Sequence, residues 1–136
     1  MSATDTTVPA ISSTTGSLVK TGIVAAVLAS AATTVVAAAG NAAGVSLDIG
    51  GAPLPVSGFA MLTFIFSLVG VVLAVVLSRK ARHPRSTFIR TTAALTALSL
   101  VPDAIADAAP ATKALLMLTH IVAAAIVIPA IARRLS

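Results

Sequence analysis

Few side chains in this chain have the chemistry to do work, and three of them gather in one stretch. Residues Ser99 to His120, SLVPDAIADAAPATKALLMLTH, hold Asp103, Asp107 and His120. An apolar run ends at Val101-Pro102, a turn carries the two aspartates, and a second apolar run starts near Lys113. His120 follows Lys113 by seven residues, which places it about 10 Å below that end of a helix rising 1.5 Å per residue. An ionisable group at such depth in an apolar segment faces a bundle interior or a water-filled cavity, and is costly unless paired. Asp103 is its nearest plausible partner and Asp107 the second. A carboxylate–imidazole pair in a dry cleft has the means for general acid–base chemistry or proton relay.

Plainer readings stand beside these. His120 as a neutral imidazole donating to a backbone carbonyl, or to Thr96 or Ser99, would lock two helices together. Asp103, just after Pro102, suits the free N–H groups of a turn. Asp107 suits a solvated loop or a pair with Lys113, and Asp48 stands alone in another loop.

Other chemistry is absent. There is no cysteine, which excludes disulfides, thiolate catalysis and Cys-based zinc sites. No HExxH, glycine-rich phosphate loop or GxSxG appears, and the sequence predicts neither metal nor cofactor. The net charge of +5 comes with no Trp or Tyr, so the basic residues lack the aromatic platforms of a single-strand nucleic-acid surface. They cluster beside apolar runs instead.

What must position His120 and Asp103 is a membrane scaffold. The chain is 57% hydrophobic and only 10% charged, with a mean hydropathy of +1.05. Soluble domains carry about 25% charged residues, and so few charges would not cover a water-facing surface of this size. At about 20 residues per transmembrane helix, four spans and their loops use nearly all 136 residues.

Taken in order, residues 1–17 are Ser/Thr-rich without periodicity and read as a disordered tail, followed by a membrane domain over 18–136. The spans fall at about 18–39, 58–77, 88–106 and 114–131. The first also fits a signal peptide, with Lys20 ahead and Ala37-Ala38-Ala39 as a cleavage site, although its length favours a retained span. Between the first two spans, Val45 to Ile49 alternates apolar and polar ahead of Gly50-Gly51, which suits a short extended piece lying on the bundle. Between the second and third lies SRKARHPRS, with Arg79, Lys80, Arg82 and Arg85. The chain closes on Arg133-Arg134, and Pro129 is expected to kink the fourth helix. By the positive-inside rule both termini are cytoplasmic, and the acidic loops 40–57 and 102–113 face outward.

Three spans carry small or polar residues at 4,3,4 spacing: Ser30, Thr34, Ala37, Asn41; Thr63, Ser67, Gly70, Ala74; and Thr92, Thr96, Ser99, Asp103. Met117, His120 and Ala124 follow the same spacing in the fourth. Such stripes are packing seams whose hydroxyls bond back to their own helix, or else the wall of a polar cavity.

The third and fourth spans, LSLVPD followed by ATKALLMLTHIVAAAIVIPAIARRL, are similar to a family of small four-span bacterial membrane proteins classed as a domain of unknown function. The resemblance covers about Gly58 to Leu135 and rests on the Pro-Asp closing the third span and the His-x-Val-Ala-Ala run of the fourth. It implies an integral membrane protein and no particular activity.

The sequence therefore predicts an all-α four-helix transmembrane bundle in the cell membrane, in contact with the lipid bilayer. Its first functional reading is a structural or accessory protein, self-associating as a homo-oligomer or joining a larger membrane complex. The alternative is a membrane-embedded acid–base enzyme of isomerase or cyclase type, acting on a hydrophobic small molecule with Asp103 and His120. A proton-linked carrier of small solutes comes third, weakened by the lack of acids at mid-membrane.

Overall fold

In the computed structural model of the chain, residues 10–135 are described. Four helices make up almost all of it: α1 (Ala10–Ala42), α2 (Val56–Lys80), α3 (Pro84–Ile105) and α4 (Pro110–Ala132). Each is long and apolar enough to cross a bilayer. Of the tail read over 1–17, residues 1–9 lie outside the described residues, and α1 begins at Ala10, ahead of the expected start of the first span.

Local chemistry sets the ends of these helices. Pro84 and Pro110 each open a helix at its first positions, where a missing N–H costs nothing. Arg79 and Lys80 close α2, where cations suit the negative end of the helix dipole. Between α1 and α2 the chain makes a small hairpin, β1 (Asp48–Ile49) with β2 (Ala52–Pro53), pairing Ile49 with Ala52. Its turn is Gly50-Gly51, both at positive φ (63° and 82°), which is the backbone a two-residue hairpin turn requires.

The helices run up and down in a ring. α1 packs on α2 and α4, and α3 packs on the same two from the opposite side. The core has two apolar clusters. One, at the basic end, joins Leu18, Val71, Phe88, Ile131 and Leu135. The other, at the acidic end, joins Ala37, Phe59, Leu115 and Leu116 to Leu47 of the hairpin segment. Hydroxyl groups lie along the interior faces as well: fully buried Thr33 of α1 sits 2.9 Å from Thr63 of α2, and Ser67 and Thr119 are buried.

Large apolar side chains cover the outside as well. Phe66 is 69% exposed and Ile105 77%. An apolar surface this continuous is untenable in water and natural against acyl chains, so the chain is a multi-pass membrane protein.

Candidate functional site

Asp103 sits in the last turn of α3, one residue past Pro102, and is buried. The polar face that ends on it is Thr92, Thr96, Ser99, Asp103. Its three hydroxyls bond back along their own helix, Thr92 to Phe88 O at 2.7 Å, Thr96 to Thr92 O at 2.8 Å and Ser99 to Thr96 O at 2.6 Å. They are thus already satisfied and leave Asp103 to look across to α4.

There it meets His120. Nδ1 of the imidazole lies 2.7 Å from Asp103 Oδ2, the only ion-pair contact among the described residues. The same nitrogen lies 3.0 Å from the carbonyl oxygen of Leu116, one turn back on α4. With an oxygen on each side, Nδ1 is the nitrogen that carries the proton; this assignment follows from its neighbours. The N–H points at the Leu116 carbonyl, so Oδ2 is close to the ring but receives no aligned hydrogen bond. Nε2 has no hydrogen-bond partner among the described residues, and 39% of the His120 side chain is exposed against 11% for Asp103.

The pair is deep. Thirteen residues separate His120 from Arg133, about 20 Å of helix, which in a hydrocarbon core of about 30 Å leaves it about 10 Å below the acidic-end interface. Asp103 reaches that level because α3 is offset along the bundle. Nineteen residues run from Pro84 to Asp103 and only twelve from His120 to Ala132, so α3 extends about 10 Å further towards the basic end than α4 does. Residues 106–109 then climb from the early end of α3 to the start of α4.

That climbing turn is held by the hairpin. Gly50 N–H donates to the Asp107 carbonyl at 2.8 Å, and the Thr112 hydroxyl donates to the Ser46 carbonyl at 2.6 Å. Asp107 thus contributes its backbone here, and its side chain is exposed and makes no ion pair with Lys113. Asp48 is exposed as well, on β1. The sequence brings out Asp103 and His120 together and a backbone carbonyl as a partner of the imidazole, without marking it as that of Leu116; it gives no sign of Thr112 as the anchor of the first loop. Gly50-Gly51 was the available signal for the hairpin, while nothing marked the turn on which it lands.

The arrangement has two chemical capacities. It can fix α3 to α4 through a buried polar contact, and it can present Nε2 as a base whose tautomer a carboxylate supports.

The fold, the four apolar helices and this pair define a small four-span membrane protein. A family model described as "Family of unknown function (DUF6069)" matches residues 13–136, and the chain belongs to that family. No curated protein and no solved structure matches the chain.

Proposed function

We propose that this chain is a non-catalytic four-span protein of the cell membrane, in which the Asp103–His120 pair fixes α3 against α4. The supporting observation is that Asp103 of α3 and His120 of α4 meet each other inside the bundle. Nδ1 lies between the Asp103 carboxylate and the Leu116 carbonyl, and neither residue lines the surface groove at His83–Arg90 or the one at Val27, Ser30 and Pro55–Phe64. The protein works by association, with a second copy or within a larger membrane complex. Ala31 and Ala38, exposed seven residues apart on α1, offer the small side chains through which membrane helices pack. Both termini lie in the cytoplasm and the hairpin end faces outward. Supporting this, Arg79, Lys80, Arg82, Arg85, Arg90, Arg133 and Arg134 gather at one end, while Asp48 and Asp107 lie at the other.

Asp103→Asn and His120→Ala, purified in detergent, test the tie. Both variants are expected to accumulate poorly and to melt about 3–6 °C lower. Variants as stable as the parent would remove the basis of the proposal.

A second reading has its own support in the free Nε2 and in the Oδ2 that lacks an aligned donor, since an under-satisfied polar pair suits a group that exchanges protons. On that reading His120 is the base and Asp103 its positioning residue, acting on a hydrophobic small molecule that arrives through the bilayer. Stable variants that nonetheless abolish a cellular phenotype would favour it. Substrate-dependent proton flux in liposomes would favour a carrier.

A further inference from the structure

The seven cations that gather at the basic end meet no carboxylate among the described residues, because the one ion pair lies at the other end of the molecule. Most would serve as topology anchors without a specific partner. Four side chains differ from the rest in geometry: His83, Arg85, Ser86 and Arg90 line one groove of about 420 Å³ at the start of α3, with Ile89 as its apolar wall. All are partly or fully exposed, and none of the four side chains has a hydrogen-bond acceptor on the described protein. All four can donate to phosphate oxygens, and the arginines do so bidentately.

Beyond the groove, Ala93, Ala94 and Ala97 follow along α3, all exposed and all small, one to two turns on from Ile89 and Arg90. The offset of α3 carries Pro84 about 10 Å past the end of α4, out of the apolar belt and into the level of lipid headgroups. A basic groove followed along the same helix by exposed small apolar side chains fits a molecule with a phosphate at one end and an acyl chain at the other.

We infer that the start of α3 is a binding site for an anionic phospholipid, with Arg85, Arg90, Ser86 and His83 on the phosphate and one acyl chain along Ala93 and Ala97. A free phosphate would share the head contacts but gain nothing from the alanines.

The test uses the full chain in a neutral detergent, with lipid occupancy read by native mass spectrometry and stability by thermal unfolding. Phosphatidylglycerol, phosphatidylcholine and inorganic phosphate are added separately. Phosphatidylglycerol is expected to bind and to raise the melting temperature, and the other two are not. The double variant R85Q/R90Q is compared with R133Q/R134Q, which removes the same charge from the same end but leaves the groove intact. All four arginines are exposed, so both variants keep the fold, and melting without lipid checks this. Phosphatidylglycerol affinity is expected to fall at least tenfold in R85Q/R90Q and to stay within about twofold in R133Q/R134Q, a difference of about 1.4 kcal/mol at the tenfold threshold. Equal losses in the two variants would reduce the effect to surface charge and overturn the site. Equal occupancy by phosphatidylcholine, or full stabilisation by inorganic phosphate alone, would overturn it as well.

Discussion

His120 Nδ1 lies between two oxygens, and that fixes how the ring is used. A proton on Nδ1 is donated to the Leu116 carbonyl at 3.0 Å and lies beside the Asp103 carboxylate at 2.7 Å; a proton on Nε2 would leave three lone pairs facing one another. Nitrogen-15 chemical shifts of His120 in micelles should therefore report the neutral tautomer protonated on Nδ1. A neutral form protonated on Nε2 would contradict the geometry. A second residue-scale tie is the Thr33–Thr63 contact of 2.9 Å between α1 and α2. Thr33 is fully buried but also donates to Ser30 O at 3.2 Å, so its hydroxyl serves two roles. Thr33→Val keeps the shape and removes the interhelical bond. It should cost about 0.6 kcal/mol, the average measured for such bonds between membrane helices, and Ser30→Ala on the same helix should cost less.

Among the elements, the contact of α1 with α2 depends on close approach. A Cβ at Gly22 would collide with Val71, whose branched side chain has little freedom to move aside. Gly22→Ala is expected to destabilise by about 1–3 kcal/mol in spite of its better helix propensity. Gly16→Ala, which meets nothing within 4 Å, should be neutral or slightly stabilising. Equal effects at the two sites would mean that α1 does not pack as described. The spans themselves were legible, because lipid selects residues by hydropathy and the prolines and basic residues mark the helix ends. The face of α1 was not. Ser30, Thr34, Ala37 and Asn41 formed the visible stripe, yet the buried line is Leu18, Gly22, Ala25, Ala29, Thr33, Ala37. In a helix made mostly of Ala and Val, several faces are equally small, and only the partner helix decides between them. Asp103 and His120 were legible because charge is scarce in these spans. The offset of α3, which sets the depth at which they meet, was not, since it depends on how four helices settle against one another.

At the scale of the whole molecule, charge and topology make a single claim. Reporter fusions placed after Leu135 and within the loop over 81–83 should both read cytoplasmic, and one inserted at Gly50-Gly51 should read exterior. A cytoplasmic signal at Gly50-Gly51 would invert the assignment. The hairpin closes the acidic end by landing on the α3–α4 turn, through Gly50 N–H to Asp107 O and Thr112 to Ser46 O. The bundle is thus tied at three levels: the hairpin, the Asp103–His120 pair below it, and the apolar cluster around Phe88 and Ile131 at the basic end.

The central claim is that Asp103 and His120 act as one unit joining α3 to α4, and a double-mutant cycle on unfolding free energy in micelles tests it most directly. His120→Ala strands a buried carboxylate and should be the more damaging single change. Asp103→Asn leaves the partly exposed imidazole its bond to Leu116 O and should cost about 1–2 kcal/mol, reduced by the exposure of the ring. The account predicts that Asp103→Asn, added to His120→Ala, restores stability, with a coupling of about 1 kcal/mol or more. Strictly additive losses, with the double variant the least stable of the set, would show two independent residues and contradict it.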